Sequence, residues 1–365
     1  MLSKLDKLTI KGFKSIKNLE DFELTQLNIL IGSNGAGKSN FIEFFRMLSA
    51  MMKTNGLQEF MAGNADSYLF GGAKETKHIT IKMAFGQNGY DFQLSPTDEG
   101  FFLINAEHRH YFPMGTTSNL GSGNFNPQLL VDKNQQGFNT PHNASWHTYE
   151  AICRWKIYHF HDTTKEAGMR RFHDVGHHEA LFTDAANIAP FLYNLNKNHP
   201  DDYQAIIETI RLVIPFFDDF ILVPNHDENI RLNWRQKGLN DYTMRPAQLS
   251  DGAIRFICLA AALLQPNPPS TILIDEPELG MHPYAIEILA ELFQAASTRM
   301  QVIVSTQSPA LVDCFNPEDI IVVNRKQGAS DFKRLDKNEL SNWLEEYSLG
   351  ELWRKNVISG CPRYE

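Results

Sequence analysis

The sequence predicts an α/β fold with a mixed central sheet, and three segments carry that expectation. The apolar run Leu27–Ile31 leads into Gly32-Ser33-Asn34-Gly35-Ala36-Gly37-Lys38-Ser39, and an apolar-striped helix over residues 41–48 follows. Leu273-Ile274-Asp275-Glu276-Pro277 reads as a buried strand that ends in two adjacent acids. Residues 272–274, 302–304 and 320–323 are short apolar strands, with a helix over 284–296 between the first two. Strands alternating with helices indicate parallel strands joined by helical crossovers.

The remaining elements follow in order. Residues 5–16 and 27–31 read as strands, and a glycine-rich link at 63–73 separates the first helix from strands at 79–85, 90–94 and 100–105, an antiparallel flap of sheet. Residues 113–143 are rich in Gly, Asn, Pro, Ser and Gln, which predicts a long surface loop. Residues 155–160 read as a strand returning to the core. The segment 165–247 is expected to be mostly helical, with 203–214 its clearest amphipathic piece. The resulting division is an N-terminal lobe (1–162), a helical insertion (163–247), a C-terminal lobe (248–330) and a tail (331–365).

Composition sets limits. The 365 residues are 42% hydrophobic and 21% charged, as in ordinary globular proteins, and one large unit with an inserted lobe is expected. No apolar run approaches the roughly 20 residues that span a bilayer, and the start reads as a strand, so a cytoplasmic protein is expected. Cys153, Cys258, Cys314 and Cys361 lack zinc-ribbon or redox spacing, which fits reduced thiols. A net charge of −9 argues against a generally basic surface that wraps nucleic acid. A local basic group remains at Arg154, Lys156, Lys165, Arg170 and Arg171, read either as a solvated face or as the lining of a polyanion groove.

The glycine segment fits G-x-x-x-x-G-K-[ST] in its proper setting, after a strand and at the start of a helix. Its glycines let backbone N–H groups converge on phosphate oxygens, and the helix N-terminus adds favourable potential. Gly32, Asn34, Gly35, Ala36, Gly37, Lys38, Ser39 and Asn40 are therefore the expected phosphate-binding residues, with Lys38 on the β and γ phosphates. Ser39 and Asp275 are expected to hold Mg²⁺, Asp275 directly or through water. Glu276 is the expected general base, because its neighbour Asp275 is committed to the metal.

Leu249-Ser250-Asp251-Gly252 opens a strongly apolar helix shortly before Asp275. Taken alone it is an ordinary helix N-cap; between the two other motifs it has signature spacing. This order resembles the ATP-binding-cassette head, and within that superfamily the RecF, Rad50 and SMC-like group, especially compact bacterial AAA_21-type ATPases. That likeness implies that Ser250, Asp251 and Gly252 meet a triphosphate. The resemblance rests on Leu8-Thr9-Ile10-Lys11-Gly12-Phe13-Lys14-Ser15-Ile16, on 249–256, on Asp275-Glu276-Pro277-Glu278-Leu279-Gly280-Met281-His282-Pro283, on 302–309 and on Trp343-Leu344-Glu345-Glu346-Tyr347-Ser348-Leu349-Gly350.

The resemblance implies an ATPase whose two protomers sandwich two ATP molecules as a homodimer or within a higher oligomer, with the signature of one capping the γ phosphate held by the other. It also implies that Lys14 and Ser15 border the nucleotide, and that the end of strand 155–161 supplies a metal contact from His161 or Asp162. Where such heads place a histidine on the γ phosphate, this chain has Gln307, a neutral sensor that keeps hydrogen bonding and loses the cation. The insertion shows no sustained heptads, so no long coiled coil is expected. The resemblance extends to OLD-like anti-phage defence ATPases, but the segment after residue 323 is too short for a Toprim nuclease. An effector protein encoded nearby is the implied partner, DNA is a second, and the expected alternative to turnover is an ATP-bound scaffold that regulates a separate effector. The histidines at 108 and 110, 159 and 161, and 173, 177 and 178 lack companion ligands at defined metal spacing and read as solvated or core residues.

Overall fold

The computed structural model describes residues 4–136, 142–239 and 241–361. β1 (Lys7–Phe13) and β2 (Ile16–Glu23) form a hairpin whose turn places Lys14 at φ 46°, where a single strand over 5–16 was expected. β3 (Leu27–Ile31), α1 (Lys38–Met51) and α2 (Gly56–Met61) follow. β4 (Ile79–Phe85), β5 (Asn88–Pro96), β6 (Phe102–Tyr111) and β7 (Thr116–Gly121) complete an antiparallel sheet of order β2-β1-β4-β5-β6-β7.

The surface loop expected over 113–143 is corrected: β7 pairs with β6, and α3 (Leu129–Asp132) buries Leu129 completely. Polar side chains hold this segment in place of apolar periodicity. The buried Glu107 carboxylate accepts the backbone N–H groups of Gln128 (2.8 Å) and Leu129 (2.9 Å), and buried Asp132 accepts the Ser145 hydroxyl at 2.6 Å. Residues 137–141 of that expected loop lie outside the described residues.

α4 (Ala144–Cys153) leads to β8 (Trp155–Tyr158). Beyond it come β9 (His173–Asp174), α5 (Ile188–Asn198), α6 (Pro200–Val213), β10 (Phe217–Ile221), β11 (Asn229–Ile230) and β12 (Asn233–Gln236). The mostly helical reading of 165–247 is thereby corrected to two helices and two small ribbons, β10–β12 and β11–β9. Trp234 explains the first ribbon: it is buried and stacks on Phe217 with ring centroids 6.0 Å apart, an anchor that helical periodicity does not reveal. In α6, Tyr203, Ile206, Ile207 and Ile210 face the core.

α7 (Asp251–Leu264), β13 (Thr271–Asp275), α8 (Pro283–Ser297), β14 (Gln301–Ser305) and α9 (Pro309–Val312) come next. The hairpin β15 (Ile320–Lys326) and β16 (Ala329–Arg334) and the tail helices α10 (Lys337–Leu344) and α11 (Leu349–Arg354) close the chain. The second sheet has the order β16-β15-β3-β14-β13-β8, parallel except for β16. Its inner strands β3, β14 and β13 are buried on both faces. Ile29, Ile272, Ile274, Val302 and Val304 join the core under α5 to α8, whereas Leu30, Leu273 and Ile303 join the core around α1, next to the antiparallel sheet. The result is a P-loop head of ABC type with an antiparallel flap and an inserted lobe. Among the described residues the longest helix is α8, 15 residues, so long coiled-coil arms are absent there, and no helix is long and apolar enough to cross a membrane.

Candidate active site

Four parallel strands, β3, β14, β13 and β8, present their C-terminal ends together, the edge where open α/β sheets bind ligands. Gly32 to Gly37 leave β3 there, and α1 begins at Lys38. Gly37 has φ 117°, and a Cβ on it would overlap the hydroxyls of Ser330 and Ser15, so only glycine fits. Ser330 acts as a brace: its hydroxyl donates to the Ala36 carbonyl at 2.6 Å and accepts from the Ser15 hydroxyl at 2.7 Å, and Asn40 donates to the same Ser15 Oγ at 2.7 Å. The Lys38 ammonium folds back onto the carbonyls of Gly32 (2.6 Å) and Ser33 (3.3 Å). Burial pulls its pKa below the usual lysine range, and Glu276, Asp275 and Glu278 pull it back, which places three carboxylates in its field. Asn34, Gly35 and Ser39 are exposed. A cavity of about 740 Å³ borders this loop, with Asn34, Arg325, Lys333 and Trp343 in its walls.

Asp275 ends β13, and Glu276 follows at φ 45° with its N–H on the Ser305 carbonyl at 2.8 Å. That turn directs the Glu276 carboxylate to Gln307, whose side-chain amide donates to it. Glu278, which sequence reasoning missed, anchors the same loop from beneath. Its carboxylate accepts the Thr306 hydroxyl at 2.6 Å and the Gln307 N–H at 3.1 Å, and burial raises its pKa. Ser39, with an exposed hydroxyl at the start of α1, and Asp275, half-buried at a strand end, are hard oxygen donors of the kind Mg²⁺ takes.

Ser250 caps α7 by accepting the Ala253 N–H at 3.2 Å. Gly252 packs so closely on the Gly280 carbonyl that a Cβ would overlap it. Two buried arginines, unmarked by any motif, fix this loop. Arg255 donates to the carbonyls of Phe160 (2.9 Å), His161 (3.4 Å) and Leu279, joining the signature helix to the end of β8 and to the loop after Glu276. Arg170 donates to Thr163 O (2.9 Å), Leu249 O (3.1 Å), Pro246 O and Asp251 Oδ1 (2.9 Å). Among the described residues no hydrogen bond joins Ser250, Asp251 or Gly252 to the Lys38 loop.

The other sequence candidates divide. Ser15 lies on the phosphate loop, whereas the Lys14 ammonium is held by Glu43 at 2.5 Å and sits 4.6 Å from the Tyr68 ring centroid. His161 and Asp162 are exposed, and Asp162 accepts from the Thr164 hydroxyl at 2.7 Å. Arg170 is buried on carbonyls, Arg171 pairs with Glu166 and Arg154 bonds the Pro268 carbonyl, so this basic group does not present five free cations. His108 and His110 share the Asp91 carboxylate, and no group of three candidate metal ligands occurs among the described residues.

Phosphate loop, paired acids and glutamine on adjacent strand ends define an ABC-type ATPase of the RecF and SMC-like class. The chain belongs to the family described as "AAA domain, putative AbiEii toxin, Type IV TA system" (AAA_21), which it matches over residues 124–313, more than half its length. Residues 4–146 also match the AAA ATPase domain family AAA_15. The DNA replication and repair protein RecF of Clostridioides difficile (strain 630) is 32% identical over 89 residues, which are 23% of this chain and 24% of RecF. The match thus spans about a quarter of that relative. An SMC head bound to the C-winged helix domain of ScpA superposes with a TM-score of 0.59 at 18% identity, covering 93% of this chain and 99% of that one. An SMC head with an extended coiled coil, bound to the C-terminal domain of ScpA derived from Pyrococcus furiosus, gives 0.53 at 14% identity, covering 94% and 99%. At those identities the likeness is one of fold.

Proposed function

We propose that the chain binds ATP with Mg²⁺ at the Lys38 loop, hydrolyses it with Glu276, and works as an ATP-gated homodimer that couples nucleotide state to a DNA or protein partner. The observation that carries this reading is the Glu276–Gln307 contact, with Glu276 and Asp275 in the field of Lys38. Lys38 exchanges its carbonyl partners for phosphate oxygens, and the backbone N–H groups from Asn34 to Ser39 bind the rest of the triphosphate. Glu276 orients a water and takes its proton as the oxygen joins the γ phosphorus and the bond to ADP breaks. Gln307 holds the Glu276 carboxylate and offers its amide to the γ phosphate. Ser39 and Asp275 would hold the Mg²⁺, which would neutralise charge on the triphosphate. Ser250, Asp251, Gly252 and the start of α7 meet the triphosphate carried by a second protomer. In this scheme 1–162 and 248–330 are the two ATPase lobes, 163–247 the insertion and 331–365 a tail.

RecF is named for DNA replication and repair, and the matched family is described with a toxin–antitoxin system. Both fit a role in DNA maintenance or in bacterial anti-phage defence with a separate effector. The neutral Gln307 favours a second reading, in which ATP mainly holds a dimer that regulates a nuclease or toxin and turns over little. Steady-state phosphate release decides between them. Mg²⁺- and ATP-dependent turnover that Lys38→Ala abolishes supports the ATPase reading. An ATP-dependent gain in mass without turnover supports the scaffold, and unchanged ATP affinity in folded Lys38→Ala overturns both.

A further inference from the structure

We propose that Arg170 is the counter-charge that makes an acidic signature loop usable: it cancels Asp251 and holds residues 249–252 in place to receive a triphosphate. The inference deepens the composite-site reading above and rests on it.

Asp251 is the first residue of α7, and its side chain is 67% exposed. A carboxylate there suits the helix dipole, but a polyphosphate approaching the same helix end meets it as a like charge. The helix end therefore serves a triphosphate only if the acid is neutralised. Arg170 does this from inside the protein. Its side chain is 5% exposed, and Nη2 lies 2.9 Å from Asp251 Oδ1.

The guanidinium is also immobilised. Nε donates to the Thr163 carbonyl at 2.9 Å, and Nη1 donates to the carbonyls of Leu249, at 3.1 Å, and Pro246. These acceptors flank the signature and the segment that follows β8, so one planar fork joins both to Asp251. Lysine could supply the charge but not the fork. Asp251 is the carboxylate that the buried guanidinium reaches. The dependence runs chiefly one way: Asp251 needs Arg170 to stand at an anion-binding helix end, whereas Arg170 without Asp251 keeps three backbone carbonyls as partners. Arg170 touches no reacting atom and is a positioning residue.

The test uses the full chain carrying Glu276→Gln, with MgATP, and reads two quantities: the dimer dissociation constant by sedimentation, and the affinity of the dilute protomer for a fluorescent ATP analogue. Arg170→Met should raise the dimer constant about tenfold or more, because an uncancelled Asp251 then meets the approaching triphosphate as a like charge. Protomer affinity for the analogue should stay within about twofold, because the Lys38 loop is untouched. Asp251→Asn should tighten the dimer, most at low salt, and in the Arg170→Met background it should recover most of the lost association. Arg170→Lys should fall between Arg170→Met and the parent, because it keeps the charge and loses the fork. A purely structural Arg170 would not be rescued by removing the acid.

Parent-like dimerisation of Arg170→Met, a double variant no better than Arg170→Met, or a weaker dimer in Asp251→Asn each overturns the proposal. If Arg170→Met does not fold, Arg170→Gln, which removes the charge and keeps one amide donor on a shorter side chain, carries the same expectations. Ser250→Arg in the same background separates the two levels. If it leaves ATP-driven dimerisation intact, the composite site itself is wrong; if it abolishes dimerisation while Arg170→Met does not, only the role of Arg170 falls.

Discussion

Gln307 donates its side-chain amide to the carboxylate of Glu276 across the ends of β14 and β13. The left-handed turn at Glu276 and the buried Glu278 beneath Gln307 hold the two side chains to that contact. A carboxylate so fixed suits the proposed role of base. Glu276→Gln keeps the shape and loses the proton acceptor, so ATP affinity should persist while single-turnover hydrolysis slows at least roughly 100-fold. Wild-type turnover in that variant would make Glu276 structural.

Removing the other member of the pair should act on the chemical step alone. Gln307→Ala releases Glu276 to other rotamers, and kcat should fall about tenfold or more with KM little changed, as for an interaction used mainly in the transition state. A raised KM with an intact kcat would instead make Gln307 a ground-state contact.

Complementation tests the shared site. Lys38→Ala removes one half of each composite site and Ser250→Arg the other, so each variant alone should be inactive. Equal mixing makes half the dimers mixed, each with one intact site, and should restore roughly a quarter of wild-type activity. No recovery in folded mixtures counts against the two-fold arrangement.

Glu107 gives the flap a pH signature. Its carboxyl pKa is raised, first by burial, although Tyr90 O–H and two backbone N–H groups donate to it. A carboxyl whose folded pKa exceeds its unfolded value contributes stability below the unfolded pKa and loses it as pH rises through the folded one. Glu107→Gln removes that fall, so the melting temperature should depend less on pH through the mildly acidic range. It should also drop at every pH, because an amide NH₂ would face the Gln128 N–H. A melting curve with an unaltered pH slope would show that Glu107 does not titrate there.

Most of the candidate site's framework was legible in the sequence because each piece is local. A strand, glycine loop and helix within 27–51, and a strand ending in Asp275-Glu276, identify themselves by period and spacing. Arg170, Arg255, Glu278 and Ser330 were not legible, because their partners are mainly backbone groups distant along the chain, which no side-chain pattern encodes. The same reason hid β7 and α3. Their segment is polar in composition and is held by Glu107 and Asp132, so it resembles a loop until the acceptors are in place. The ribbon β10–β12 was lost to a different cause, a tertiary aromatic stack that overrides local preference.

The Ser330 brace also bears on the order in which the protein becomes competent. It joins Ser15 and Ala36 to a residue 315 and 294 positions later. Closing so long a loop is entropically costly, and during synthesis the N-terminal segments emerge first. A nascent chain that already displays residues 32–37 therefore lacks the hydroxyl that fastens them until the β15–β16 hairpin has left the ribosome and docked. The shape of the glycine loop is thus a property of the assembled sheet and not of the N-terminal segment that carries the motif.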